Sequence, residues 1–119
     1  MRILVVDDST TMRRIICNSL RAVGFDDIVE AGDGQQALQT MDGVTLLLTD
    51  WNMPTMDGLT LVKTLRDAPA TARLPIIMIT SEGARDEVME ALAAGVNDYI
   101  VKPFTKEVLG EKVKLIMQQ

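Results

Sequence analysis

Four short apolar runs punctuate the chain, and each stops at a polar side chain. Ile3–Val6 stops at Asp7-Asp8. Leu46–Leu48 gives way to Asp50. Ile76–Ile79 ends at Thr80, and Tyr99–Val101 ends at Lys102-Pro103. A fifth, weaker run is Ile28, Val29 and Ala31. Continuous apolar runs of this length read as strands buried on both faces, as in a parallel sheet covered by helices. Between them the apolar residues recur at helical spacing. Met12, Ile16, Leu20 and Val23 follow an N-cap at Ser9 and stop at Gly24. Ala37, Leu38 and Met41 lie between Asp33-Gly34 and Asp42-Gly43. Leu61, Val62 and Leu65 follow a cap at Asp57, and 67–73 reads as a loop. Val88, Ala91 and Leu92 precede Gly95, and Val108, Leu109, Val113, Ile116 and Met117 close the chain. Serine and aspartate are natural N-caps and glycine a natural stop.

This is βα repeated five times. Alternation of that kind predicts an α/β fold with a five-stranded parallel sheet and helices on both faces. Right-handed crossovers leave few arrangements, and the doubly wound, flavodoxin-like strand order 2-1-3-4-5 fits best. In that order the first and third strands are neighbours at the switch point, where open α/β sheets bind ligands. Both end in aspartate.

Composition narrows the chemistry. The 119 residues suffice for one domain, 1–119, with its own core. One Trp, one Tyr and two Phe make that core aliphatic. The absence of histidine removes a histidine base, a histidine nucleophile and the common zinc sites. Cys17, the one cysteine, sits in a helical pattern and reads as a small core residue. A net charge of −5 argues against nucleic acid or an anionic membrane as partner. The run Ile3–Val6 is too short for a signal peptide or a membrane span, so a cytoplasmic monomer is expected.

The strand ends now matter as a group. Asp7, Asp8, Asp50, Thr80 and Lys102 fall on one edge of one sheet. Three carboxylates in one cleft repel, so either a proton or a cation must neutralise them. Oxygen ligands without His or Cys select a hard ion, and a site with few protein oxygens suits Mg²⁺ and its waters. Lys102 would counter the remaining charge and bind an anion. A phosphoryl group fits between metal, Lys102 and the Thr80 hydroxyl, and Asp50 is the central carboxylate that could accept it. The plainer alternative is a structural acidic cluster salt-bridged by Lys102.

Asp7-Asp8, Asp50-Trp51-Asn52-Met53-Pro54, Met56-Asp57-Gly58, Thr80 and Lys102-Pro103-Phe104 together resemble a response-regulator receiver domain over essentially the whole chain. Trp51-Asn52 and Tyr99 resemble its chemotaxis branch. The resemblance implies that Asp50 takes a phosphoryl group from a histidine kinase. It implies that Asp8, Asp50 and the Asn52 backbone carbonyl ligate Mg²⁺, with Asp7 acting through water. Thr80 and Lys102 would bind the phosphoryl oxygens, the Lys102–Pro103 bond would be cis, and Ser81 would be the small residue beside the phosphoryl group. Tyr99 would turn inward on activation, and Tyr99 and Lys112 would mark a surface for a protein target such as a flagellar motor switch component. Asn52 and Glu82 would set the decay rate, with or without a separate phosphatase. No output domain is expected after Gln119.

Three other readings compete with this one. A Mg²⁺-dependent phosphatase with an aspartyl nucleophile needs an acid/base aspartate where Asn52 stands, and Asn cannot transfer a proton. A flavodoxin-like cofactor binder needs a glycine-bearing phosphate loop after the first strand, where Asp7-Asp8-Ser9-Thr10-Thr11 stands instead. A phosphorelay intermediate shares the fold and the chemistry.

Overall fold

The computed structural model describes residues 1–81 and 83–118. Among these, five parallel strands pair in the order β2-β1-β3-β4-β5. They are β1 (Ile3–Val6), β2 (Ile28–Ala31), β3 (Leu46–Thr49), β4 (Ile76–Thr80) and β5 (Asp98–Val101). The helices are α1 (Thr10–Ala22), α2 (Gly34–Leu38), α3 (Gly58–Asp67), α4 (Arg85–Ala94) and α5 (Lys106–Met117). The doubly wound order expected from the alternation is the order observed.

Strand pleating divides the core in two. Ile3, Val5, Leu46, Leu48, Ile77, Ile79 and Ile100 face α1 and α5, where Ile16, Leu20, Leu109, Val113 and Ile116 meet them. Leu4, Val6, Leu47, Ile76 and Met78 face the other way, toward Ala37, Leu61, Val62, Leu65 and Ala91. All residues of β1, β3 and β4 are buried, which is why those runs read as unbroken apolar segments. β2 and β5 are edge strands and mix polar residues with apolar ones.

The capping signals work as their chemistry requires. The side chains of Ser9, Asp33, Asp57 and Thr105 each accept a backbone N–H in the first turn of their helix. Gly95 takes the left-handed conformation, φ +113°, that ends α4.

One expectation needs correction. α2 stops at Leu38, so Met41 is not helical. The chain tightens there through i→i+3 bonds, Gln39 N–H to Gln36 O and Thr40 N–H to Ala37 O, and Met41 reaches the core from the turn that follows. Leu92 is 44% exposed, because the face α4 turns to the core centres on Ala91, with Ala94 beside it. Val108 is also exposed: the buried stripe of α5 is Leu109, Gly110, Val113 and Ile116, one position away. A methyl group on Gly110 would stand 3.0 Å from Val23 Cγ1, so glycine there lets α5 lie close to the end of α1.

Candidate metal centre at the carboxyl edge of the sheet

The β1–β3 pairing sets the site. Val6 stands opposite Thr49, and the ladder runs one step further, with Asp50 N–H donating to Val6 O at 2.9 Å. Asp7 N–H donates to Ala31 O of β2 at 3.2 Å. The first residue after each of these central strands is therefore a carboxylate, and the two stand side by side. Asp7, Asp8 and Asp50 each offer an oxygen within 4.8 Å of the others. Shared coordination of one ion asks for this convergence.

The three carboxylates are held very differently. Asp7 is 1% exposed, and both its oxygens are engaged: Oδ1 accepts the Ser9 N–H at 2.9 Å, and Oδ2 takes Lys102 Nζ at 3.0 Å. Asp50 is half-buried. Its Oδ1 accepts the Trp51 N–H at 2.7 Å, and its Oδ2 lies 3.3 Å from the same Lys102 Nζ. Asp8 is exposed, and its carboxylate accepts no hydrogen bond from the described residues. Burial is the largest influence on the Asp50 carboxyl and pushes its pKa up. Lys102 opposes that most strongly, and Asp7 adds to it.

Lys102 thus bridges Asp7 and Asp50. The salt-bridged reading of the cluster and the metal reading describe the same atoms. With one ammonium against three carboxylates, the pocket keeps an excess of negative charge that a divalent cation would neutralise. The donors are all oxygen, the exposed Asp8 leaves a way in for solvent, and the set fits a hard ion that retains waters.

The loop after β3 holds Asp50 from behind. Gly58, at the start of α3, packs on the Asp50 carbonyl oxygen so closely that any Cβ would collide with it. Its N–H donates to Trp51 O at 2.7 Å. The buried Thr49 hydroxyl donates to the same Asp50 carbonyl at 2.9 Å. Met56 O accepts the Gly34 N–H, tying the loop to α2. Thr55 carries the turn with φ +66°, a left-handed conformation that few non-glycine residues adopt.

Thr80 is fully buried at the end of β4, and its carbonyl accepts the Lys102 N–H at 2.9 Å. The Lys102–Pro103 bond is cis. Ser81 and Asn52 are exposed at the same edge. Tyr99 is half-buried on β5, against the α3/α4 side of the core. Lys112 stands apart from the acid cluster, paired with Asp98 Oδ1 at 2.9 Å. That same oxygen accepts the Tyr99 N–H. Glu82 lies outside the described residues.

The sequence does not point to Thr49 or Arg13 as site residues, and it marks Gly58 only as part of the Met56-Asp57-Gly58 motif. Arg13 Nη1 donates to Asp7 O at 2.5 Å. The only trace of that role in the sequence is a cation one turn into the helix that follows an acidic strand end.

Fold and site together define a doubly wound α/β domain whose switch point carries an acidic, lysine-bridged pocket able to take a hard divalent cation. The family model for the response regulator receiver domain matches residues 3–114. The chain is 52% identical to chemotaxis protein CheY1 of Helicobacter pylori, over 98% of this chain and 97% of that one. It is 48% identical to chemotaxis protein CheY of Pseudomonas aeruginosa, over 100% and 98%. A solved structure of a putative response regulator from Chloroflexus aurantiacus superposes with TM-score 0.94 at 35% identity, covering 99% of this chain and 98% of that one. The chain belongs to the response-regulator receiver family of two-component signalling.

Proposed function

We propose that this protein works as a chemotaxis response regulator, taking a phosphoryl group on Asp50 from a histidine kinase and changing its affinity for a protein target. The observation that carries the reading is the convergence of Asp7, Asp8 and Asp50 around Lys102 at the switch point. Whole-length identity near one half to proteins named for chemotaxis supports the biological setting.

Mg²⁺ would be held by Asp8, Asp50 and the Asn52 carbonyl, with Asp7 reached through water, and would supply charge neutralisation for the incoming phosphoryl group. An ionised Asp50 oxygen attacks the phosphorus of a phosphohistidine. The N–P bond breaks, and its electron pair returns to the imidazole nitrogen. Lys102 starts within hydrogen-bond reach of Asp50 and works against the upward pull that burial exerts on its pKa. When the phosphoryl group arrives, Lys102 pairs with one of its oxygens, and the Thr80 hydroxyl binds another. No second acid lies where an aspartyl phosphatase needs one, because Asn52 occupies that place.

The response travels along β4 and β5, because Thr80 and Lys102 are already bonded backbone to backbone. Movement at Thr80 changes the space beside Tyr99, and with it the face made by α4, β5 and α5, which includes Lys112. Physically this is a two-state equilibrium biased by one new charged group. Asn52 and Glu82 would set the lifetime of the acyl phosphate.

Acetyl phosphate tests the core of the reading. Labelling should require Mg²⁺, vanish in EDTA and vanish in Asp50→Asn. Labelling of Asp50→Asn at unchanged yield would remove Asp50 as the acceptor.

A further inference from the structure

Among the described residues, nothing holds the side chain of Asp8, unlike the other two carboxylates of the cluster. Asp7 is fixed at both oxygens by Ser9 and Lys102, and Asp50 is fixed by Trp51 and Lys102. If Asp8 is to ligate an ion, its direction must come from its backbone.

That backbone has a specific anchor. Arg13 sits on the first turn of α1, and its side chain runs back toward the helix N-terminus, as helical side chains do. Its Nη1 donates to Asp7 O, and its Nε donates to Glu30 Oε1 of β2 at 3.1 Å. The Arg13 side chain is only 18% exposed. Gly32 lies alongside: a Cβ there would come within 3.7 Å of Arg13 Nη1. The Asp7 carbonyl belongs to the peptide plane that joins Asp7 to Asp8. Holding that oxygen holds the plane, and so sets the direction in which the Asp8 side chain leaves the chain. The planar guanidinium satisfies both partners at once, with Glu30 fixing its orientation.

We infer that Arg13, oriented by Glu30, is a positioning residue that aims Asp8 at the divalent ion. The inference rests on the metal reading given above. It runs against simple electrostatics. A guanidinium beside an acidic pocket repels a cation, so by charge alone its removal would tighten Mg²⁺ binding. As a positioning group, its removal loosens binding.

The test is a Mg²⁺ titration followed by the fluorescence of Trp51, the only tryptophan, whose backbone N–H donates to Asp50 Oδ1. Wild type, Arg13→Ala, Arg13→Lys, Glu30→Ala and the Arg13→Ala/Glu30→Ala double variant are compared, with circular dichroism confirming folded protein. Arg13→Ala should weaken Mg²⁺ binding about ten-fold or more, the range seen when groups that orient metal ligands are removed. Arg13→Lys keeps the charge but not the fork and should also bind more weakly than wild type. Should Arg13→Ala not fold, Arg13→Lys decides the matter. The double variant should bind about as Arg13→Ala does, because Glu30 acts through Arg13. Unchanged or tighter binding by Arg13→Ala and Arg13→Lys overturns the positioning role alone. A wild type whose fluorescence ignores millimolar Mg²⁺ overturns the metal reading, and this inference with it.

Discussion

α3 and α4 have the same length, ten residues, and lie side by side on one face of the sheet, yet they are anchored in opposite ways. α3 is capped by the Asp57 carboxylate and buries Gly58, Leu59, Leu61, Val62 and Leu65. Its first residue packs on the Asp50 carbonyl. α4 follows Ala84, an N-cap with no side-chain hydrogen bond, buries only Ala91 fully, and leaves Met89 and Leu92 exposed. Its firm end is the far one. There Arg66 of α3 donates to Gly95 O through Nε and Nη2, and to Asn97 Oδ1, Thr71 O and Ala72 O. One helix packs directly behind Asp50. The other is pinned at its C-terminus and, among the described residues, has no side-chain cap at its N-terminus. A signalling domain needs both: a site that holds its geometry, and an element whose position costs little to change.

The strongest way to break this contrast is in the core. Leu61→Ala in α3 should cost about 2–5 kcal/mol, the range for a fully buried leucine, while Leu92→Ala in α4 should stay within about 0.5 kcal/mol. Urea unfolding reads both. Equal losses would show α4 to be as firmly packed as α3. A smaller effect comes from supplying the missing cap. Ala84→Ser should stabilise the protein by about 1 kcal/mol and slow amide exchange at the start of α4. Unchanged exchange there would mean the helix start is already held.

The subtlest effect concerns the site's own charge, measured without metal. Burial holds the Asp50 carboxyl above its ordinary range, with Lys102 pulling down and Asp7 pushing up. An acid raised by folding keeps its proton to higher pH in the folded state than in the unfolded one. Its ionised form therefore costs stability at neutral pH. That cost fades as pH falls through the raised folded value and is gone below the unfolded one. In EDTA, Asp50→Asn should melt higher than wild type at pH 7, and the gap should close in acid. A variant less stable at neutral pH would mean that the Lys102 pairing outweighs the burial.

The same contrast explains what the sequence could and could not tell. Strand ends were legible because an apolar run must stop at the first charge it cannot bury, and Asp7, Asp50, Thr80 and Lys102 stand at those stops. The caps at Ser9 and Asp57 were legible because their signal is local. α4 misled, since Leu92 and Val88 carry helical spacing without carrying burial. A periodic pattern says which residues share a face, not how deeply that face sinks. Met41 misled for a related reason, as its burial is served by a turn. Arg13 and Thr49 were invisible as site residues because they act by hydrogen bonds to backbone carbonyls, which leave no pattern of residue types. The shared use of Lys102 by Asp7 and Asp50 depends on a contact between residues 95 and 52 positions apart, which only the folded sheet creates.

The central claim is that one carboxylate, Asp50, accepts the phosphoryl group. Borohydride reduces an acyl phosphate to an alcohol, so the acceptor aspartate becomes homoserine and can be located by peptide mass spectrometry. After treatment with acetyl phosphate and Mg²⁺, homoserine is expected at position 50 and at no other aspartate of the chain. Homoserine at position 7 or 8, or none anywhere despite phosphoryl uptake, would contradict it.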